Sequence, residues 1–244
     1  MAHNSNGRSV WQRWFGGGAS INTSLLFDKV NDYVQLNDTT FLEGATTFSV
    51  SFWYKNTAAT FNSIMMPFSK VDSGLLNGFY TLLYNTNWWS VHVLNGSNKY
   101  RIFKSITNQN SWQHYGWVYQ AGSTEADKIR MYWNAIRRTP DTSVTPVPAS
   151  VGVNGMAARI GCSSFNSPTY FLGGNLKNFA MWSDAVDQNV IDMGADINAT
   201  PNPTNLIRHW TCNGVNPSTV LVDSKLTENG TLVNFDGTQW RDYP

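Results

Sequence analysis

Residues 47–55 read TFSVSFWYK, and this stretch decides the fold class. Its large apolar side chains recur at every second position, at Phe48, Val50, Phe52 and Tyr54. The intervening positions are mostly polar, with Trp53 as the exception. Because successive side chains of a strand point to opposite faces, this alternation predicts a half-buried β-strand.

The same period of two continues along the chain from about residue 22. Further strands are predicted at GFYTLLY (78–84), WWSVHVL (88–94), KYRIF (99–103), WQHYGWVY (112–119), KIRMYW (128–133), AARIG (157–161), NLKNFAMW (175–182), LIRHWTC (206–212), TVLVDS (219–224) and TLVNF (231–235). The segment Asn85-Thr86-Asn87 predicts a hairpin between the first two. The prolines and glycines of residues 140–155 indicate a loop or an edge strand.

One segment departs from this period. Residues 183–196, SDAVDQNVIDMGAD, carry Val186, Val190, Ile191 and Met193 at near-helical spacing. We expect one short helix near 184–194, with Asp184 or Asp187 as its cap. Many short strands and a single helix predict an all-β, antiparallel two-sheet sandwich rather than an α/β fold.

Composition narrows the classes of protein. An apolar share of 41% in 244 residues is enough for a substantial core, so global disorder is excluded. The net charge of +1 without a basic stripe argues against nucleic acid as the main ligand. No apolar run is long enough for a secretory signal or a membrane span. We expect Cys162 and Cys212 to be buried apolar side chains, with a single bridge as the alternative.

Four stretches, in order, resemble the laminin-G-like (concanavalin A-like lectin) jelly-roll family. The first is LLFDKVNDYVQL (25–36), similar to the family's opening except that Lys29 replaces a glycine, followed by SVSFWYK (49–55). The second is SWQHYGWVYQAG (111–122), in which Trp112 and His114 match the family's tryptophan-x-histidine. The last two are RIGC (159–162) with FLGGNLKNFAMWSDAVDQNVI (171–191), and HWTCNG (209–214) with TVLVDSKLTENGTLVNF (219–235).

The resemblance covers roughly residues 22–236, and it implies two stacked antiparallel sheets of jelly-roll topology. It also implies glycan, protein or calcium binding, as in many members. We therefore expect an N-terminal tail over 1–20 and a laminin-G-like β-sandwich over 21–244. Fold alone does not settle function, because one fold hosts many unrelated functions.

Catalysis of the glucanase kind is not expected. Retaining hydrolysis needs two carboxylates about 5–5.5 Å apart across the glycosidic bond. The three glutamates, Glu43, Glu125 and Glu228, are far apart in sequence, and none belongs to a paired acidic cluster on a strand. We expect His114 to be a buried histidine of the inner face. The sequence therefore predicts a non-catalytic protein without a catalytic residue.

Calcium is a candidate ligand of the opening and closing motifs. Asp28, Asn31 and Asp32 lie in the first motif, and Asp223 and Asn229 in the last. Calcium prefers carboxylate and amide oxygens, and the first and last strands of a jelly roll are often neighbours. The candidate ligands are Asp28, Asp32 and Asp223. The alternative is that these side chains hold their own loops through Asx turns.

Glycan binding would require exposed flat aromatic rings beside polar groups. Trp88 and Trp89 face opposite ways on a strand, so one of them is a candidate surface ring, and Tyr84 and Tyr100 are candidates near it. The alternative is that all four rings fill the core or the sheet surface.

The N-terminal segment carries its own aromatic cluster. Trp11, Trp14 and Phe15 share one side of a single helical turn and precede Gly16-Gly17-Gly18, a flexible hinge. We expect the cluster to anchor the chain to a partner, and the alternatives are that it packs onto its own sandwich or that the segment is disordered.

The leading functional hypothesis is a non-catalytic virion structural protein of a bacteriophage, a capsid decoration or fibre component anchored to other virion proteins through this segment. Host or environmental glycans are candidate ligands, no membrane partner is expected, and a homo-oligomer stays open. The alternatives are a carbohydrate-binding module of a secreted bacterial system, with an extracellular location, and a hydrolase with an atypical acid pair.

Overall fold

The computed structural model of the protein describes residues 23–57, 64–84, 88–104 and 110–242. Its first strands are β1 (Thr23–Asp28), β2 (Tyr33–Gln35), β3 (Thr47–Lys55), β4 (Ile64–Val71), β5 (Asn77–Tyr84), β6 (Trp88–Asn95), β7 (Asn98–Lys104), β8 (Trp112–Gln120) and β9 (Ile129–Trp133). A 3-10 turn spans Glu125–Asp127. The remaining elements are β10 (Ile136–Arg138), β11 (Thr142–Val144), β12 (Arg159–Ile160), β13 (Gly173–Trp182), α1 (Asp187–Ala195), β14 (Leu206–Trp210), β15 (Val220–Leu221), β16 (Gly230–Val233) and β17 (Trp240–Asp242).

These strands form two antiparallel sheets. The eight-stranded sheet has the order β10-β9-β8-β3-β13-β1-β17, with β14 also paired to β13. The nine-stranded sheet has the order β11-β7-β6-β5-β4-β12-β2-β16-β15. The predicted two-sheet sandwich with one short helix is therefore confirmed, and the topology is consistent with a jelly roll.

Aromatic rings fill the space between the two sheets. Phe52 stacks on Tyr115 and on Phe179 of the same sheet, at 5.5 and 5.4 Å between ring centroids. Phe179 also packs against Phe68 of the opposite sheet at 5.4 Å. The predicted inner face of residues 47–55 is fully buried, since Phe48, Val50, Phe52 and Tyr54 are 0% exposed. Such buried rings supply much of the apolar area that stabilises a sandwich.

The helix covers the outer face of the eight-stranded sheet. Val190 packs against Val118 and Tyr132, and a Cβ built on Gly116 would lie 2.2 Å from Val190 Cγ1. Gly116 is therefore the position at which the helix approaches the sheet most closely. The predicted side-chain cap is wrong, because Val186 is the N-cap residue, and Asp187 pairs with Arg130 at 2.8 Å instead.

The predicted location of His114 is wrong. It lies on the outer face of the eight-stranded sheet, because Tyr115 and Trp117 occupy the inner positions of β8. The helix buries it completely, and its Nε2 is 2.8 Å from Ser51 Oγ. Burial lowers the pKa of His114 to about 3, so the imidazole is neutral at ordinary pH.

Other local predictions have mixed outcomes. Residues 140–155 do contain an edge strand, β11, whereas the strand predicted over 219–224 is reduced to two residues. Cys162 and Cys212 are unpaired and buried, as expected. Within the described ranges, no helix has the length and apolarity that crossing a membrane requires. The predicted domain boundary at residues 20/21 lies outside the described residues and stays a prediction.

Candidate functional site

An aromatic surface lies on the outer face of β5, β6 and β7. The hairpin β5–β6 pairs Tyr84 with Trp88 and Tyr80 with His92. The next pairing places Tyr100 of β7 opposite His92. Since directly opposite residues of neighbouring strands share a face, all five rings project from the same side of the sheet. We call Tyr80, Tyr84, Trp88, His92 and Tyr100 the aromatic face.

Three of these rings form a continuous row across the sheet. The Tyr80 and His92 rings stack with centroids 4.1 Å apart and an interplanar angle of 15°. His92 and Tyr100 follow at 5.0 Å and 38°. His92 Nε2 lies 2.9 Å from Ser90 Oγ, and both side chains are buried, so this hydrogen bond fixes the imidazole within the row. The row is thus held by both the sheet pairing and ring stacking.

Two of the accessible rings, Tyr84 and Trp88, lie at the hairpin end of the face, and the third, Tyr100, belongs to the row. Tyr84 is 36% exposed and contacts Trp88, which is half-buried, at 5.6 Å between centroids. Tyr100 is also half-buried, whereas Tyr80 is 2% exposed and belongs to a buried cluster against which Phe165, from the loop before β13, packs. Tyr84, Trp88 and Tyr100 therefore offer ring surface to a ligand, and Tyr80 stacks on the buried His92.

Trp89 does not belong to this surface, so its assignment as a glycan-binding residue is wrong. It is 0% exposed, packs edge-on against Tyr115 in the core at 5.3 Å, and donates its indole N–H to Thr81 Oγ1 at 2.8 Å. The predicted opposite orientations of Trp88 and Trp89 are present, with Trp88 outward. Tyr80 and His92 were not predicted from the sequence. Each lies four residues from Tyr84 or Trp88 along its strand, and an even spacing on a strand places both residues on the same face.

The acidic loop after β1 is held by its own backbone. Asp28 Oδ1 accepts hydrogen bonds from the N–H groups of Val30, Asn31 and Asp32, at 2.7, 3.2 and 3.3 Å. Asp32 Oδ2 in turn accepts the Asp28 N–H at 2.9 Å. These are the Asx-turn contacts that the sequence offered as the alternative to calcium.

The same loop lines a small acidic cavity of about 90 Å³. Asp236 from the β16–β17 connection joins Asp28 and Asp32 there. Burial, together with the nearby Asp28 and Asp236 carboxylates, raises the pKa of Asp32 to about 6. Three carboxylates thus line this small space together with the guanidinium group of Arg241.

Asp223 does not join this cavity, so the predicted convergence of the opening and closing motifs is wrong for this residue. Its carboxylate accepts the His209 N–H and the Thr227 hydroxyl, at 2.9 and 2.6 Å. Burial opposes its ionisation, yet these hydrogen bonds hold the pKa of Asp223 below its ordinary value. Among the residues that the structure describes, no group of three or more His, Cys, Asp or Glu side chains is placed to hold a metal ion. Calcium binding stays a prediction.

Each glutamate is an ion-pair partner. Glu43 lies 2.9 Å from the ammonium of Lys70, Glu125 lies 3.0 Å from Lys128, and Glu228 lies 3.4 Å from Arg208. Burial opposes the ionisation of Glu43 and Glu125, yet their ion pairs and backbone hydrogen bonds hold the pKa of both carboxyls below the ordinary value, whereas an acid catalyst must carry a proton. The glutamates therefore stabilise the structure around them through ion pairs.

Trp11, Trp14 and Phe15 lie outside the described residues, and the anchoring role predicted for them stays a prediction.

The fold and the aromatic face define a class, the lectin-like β-sandwich. The chain belongs to the concanavalin A-like lectin/glucanases superfamily, whose laminin-G type model (Laminin_G_3) matches residues 28–192. No curated protein matches the sequence.

Three solved structures illustrate the similarity of fold. A Bacteroides ovatus protein proposed to bind carbohydrate is 15% identical with a TM-score of 0.63, over 88% of this chain and 59% of that one. A heptameric SAP-like pentraxin from Limulus polyphemus is 15% identical with a TM-score of 0.52, over 73% and 84%. The CBM40 domain of a Ruminococcus gnavus sialidase, bound to α2,3-sialyllactose, is 10% identical with a TM-score of 0.51, over 70% and 98%. At these identities the likeness shows the fold alone, and this chain spans little more than half the length of the Bacteroides protein.

Proposed function

We propose that this chain is a non-catalytic carbohydrate-binding module and that its aromatic face binds glycans. The observation that carries the proposal is the partly exposed pair Tyr84 and Trp88 beside the row of Tyr80, His92 and Tyr100. The pair offers flat ring surface at the sheet surface, and the half-buried Tyr100 adds a phenol hydroxyl on the same face.

Sugars present both apolar C–H surfaces and hydroxyl groups, so a site for them needs both kinds of partner. Tyr and Trp combine an apolar body with a polar tip, which suits a surface that is half wet. The hydroxyls of Tyr84 and Tyr100 supply groups that donate or accept hydrogen bonds. His92 and Ser90 are buried and hydrogen-bond to each other, which fixes the orientation of the imidazole within the row. Since this surface lies on a paired sheet, its geometry exists before the ligand arrives and little ordering is needed on binding.

The solved structures support this choice over a virion structural protein. Two of the three similar structures are described by carbohydrate recognition, one of them with a sialylated trisaccharide bound. A carbohydrate-binding module of a secreted bacterial system, acting outside the cell, is therefore the setting we favour. The virion hypothesis depended on Trp11, Trp14 and Phe15, and it stays an untested prediction. The ion-paired glutamates support a binding role rather than hydrolysis.

The experiment is a glycan array probed with the full chain and with the variants Tyr84→Ala and Trp88→Ala. Both residues are partly exposed, so the variants are expected to keep the wild-type melting temperature within a few degrees. Trp53→Ala is the matched control, since Trp53 is a half-buried tryptophan on the outer face of the other sheet. We expect each aromatic-face variant to lose about tenfold or more in affinity, which corresponds to roughly 1.4 kcal/mol for one lost ring contact.

Two results would overturn the proposal. One is an array on which the wild-type chain binds no glycan. The other is a glycan signal that Tyr84→Ala and Trp88→Ala leave unchanged, or that Trp53→Ala reduces to the same extent. A separate assay for release of reducing sugar from a polysaccharide panel is expected to show no turnover, and turnover would establish a hydrolase instead.

A further inference from the structure

A second cavity lies at the open edge of the sandwich, between β7 and β11 of one sheet and β9 and β10 of the other. It has a volume of about 300 Å³. Thr139 and Pro140, which carry the chain from one sheet to the other, form part of its wall. Ligand pockets in proteins range upward from about this volume. The space is therefore large enough for an inorganic oxyanion or a single sugar ring.

The wall of this cavity is strongly cationic. Four arginines line it, against one carboxylate, that of Asp127. The four are Arg101, Arg130, Arg137 and Arg138. They come from three strands, β7, β9 and β10, so the sheet pairing fixes their backbones around one space. We call this cavity the arginine pocket.

Two of the arginines are buried. Arg101 is 3% exposed and Arg130 is 6% exposed. Arg130 is ion-paired with Asp187 at 2.8 Å. Arg101 Nη2 donates to the backbone carbonyl of Glu125 but lies 3.8 Å from the Glu125 carboxylate oxygen Oε1, so its ion pair is a loose one. Burial lowers the pKa of Arg101, against the effect of Glu125, and its Nε has no hydrogen-bond acceptor within the described part of the chain. The desolvation of Arg101 is therefore incompletely compensated in the unliganded protein.

Arg138 has less charge compensation still. Its guanidinium lies 5.1 Å from the ring of Trp133 and 5.8 Å from that of Phe103, in the opposite sheet. Among the described residues it makes no ion pair, and its buried Nε has no hydrogen-bond acceptor. Arg137 is paired with Asp127 in an exposed ion pair, which contributes little to stability and exchanges readily for another anion.

We propose that the arginine pocket binds an oxyanion, the carboxylate or sulfate group of an acidic ligand. Guanidinium groups match such oxyanions with two parallel hydrogen bonds, and this charge-assisted pairing is stronger in a partly desolvated site. The ligand supplies the counter-charge that Arg138 lacks and the acceptor that the Nε groups of Arg101 and Arg138 lack. No residue of the aromatic face lines the pocket, so this inference stands apart from the proposed glycan site.

The test is isothermal titration calorimetry of the full chain with sodium glucuronate and with sodium sulfate, at constant ionic strength. Glucose serves as the uncharged counterpart of glucuronate, and comparison of the two anions separates a carboxylate ligand from a sulfate ligand. The double variant Arg137→Gln/Arg138→Gln removes two partly exposed guanidinium groups. Arg241→Gln, an exposed arginine outside the pocket, is the matched control.

We expect at least one anion to bind the wild type and the Arg241→Gln control equally, with no heat from glucose. The double variant is expected to bind about tenfold or more weakly. Asp127→Asn removes the competing carboxylate, so it is expected to strengthen binding, an effect that misfolding cannot imitate. The proposal is overturned if neither anion binds the wild type, or if the double variant binds as well as the control. Trp88→Ala is expected to keep the anion affinity whatever the outcome of the glycan array.

Discussion

Asp32→Asn provides the sharpest test of the acidic cavity between β1 and β17. The pKa of Asp32 is about 6 in the folded protein, against an ordinary value of 3.8. The folded state therefore binds this proton more tightly than the unfolded chain does. Binding this proton more tightly stabilises the folded state. This stabilisation is fully present below pH 3.8 and is lost as the pH rises through 6. The difference between the two pKa values corresponds to roughly 3 kcal/mol of unfolding free energy.

An asparagine keeps an oxygen that can accept the Asp28 N–H, and it never ionises. Asp32→Asn is therefore expected to equal the wild type in stability near pH 4. It is expected to become more stable above pH 6, by as much as about 3 kcal/mol at pH 8. Urea unfolding at pH 4, 6 and 8 measures this difference. Asp192→Asn, on an exposed position of the helix, controls for the loss of a surface charge.

A stability difference that stays constant between pH 4 and pH 8 would refute the assignment of a raised pKa to Asp32. The same titration tests calcium. A cation bound among Asp28, Asp32 and Asp236 would favour the ionised carboxylate, so millimolar calcium would stabilise the wild type at pH 8 and leave Asp32→Asn unchanged. If neither calcium nor chelator shifts the wild-type transition, the calcium hypothesis is removed.

Three further changes test the packing of the sandwich, each by urea unfolding. Glu43→Ala leaves the buried Lys70 ammonium without its carboxylate and is expected to cost about 3–5 kcal/mol, whereas an unchanged midpoint would contradict that pairing. Gly116→Val inserts a side chain against Val190 and is expected to cost about 1–3 kcal/mol, with partial recovery when Val190→Ala is added. Phe52→Ala removes the ring between Tyr115 and Phe179 and is expected to cost about 3–5 kcal/mol, and a loss below 1 kcal/mol would show that this stack is not central to the core.

Alternation along single strands was enough to predict most of the fold. In TFSVSFWYK every second residue is large and apolar, and those four side chains are fully buried. The period of two cannot show which face of a strand meets the other sheet when both faces become covered. His114 illustrates this limit, because the helix buries the outer face there and makes it as dry as the core. A helix packed on one sheet is a tertiary fact that local spacing does not contain.

The candidate glycan site was predictable only in part, because alternation places residues on two faces without saying which face is exposed. Adjacent residues on a strand face opposite ways, so one of Trp88 and Trp89 had to be a core residue, but parity alone does not say which. Register decides it, since the hairpin places Trp88 beside Tyr84 on the outer face. Asp223 was misplaced because sequence motifs at the two chain ends were assumed to meet. Its carboxylate is instead used by its own loop.

The arginine pocket was not predictable, because its residues are far apart in the chain and no local motif joins them. Arg101 follows Tyr100 directly, and the pleat of β7 turns Tyr100 outward and Arg101 inward. The pleat therefore gives the aromatic face and the arginine pocket adjacent residues of one strand, on opposite sides of the sheet. A ligand on the aromatic face that contacts Tyr100 therefore does not contact the Arg101 side chain in the arginine pocket. The two sites are accordingly expected to act independently, so that combining Trp88→Ala with Arg137→Gln/Arg138→Gln adds the two losses without coupling. An effect of either change on the other site's affinity beyond about 0.5 kcal/mol would show instead that β7 transmits binding between them.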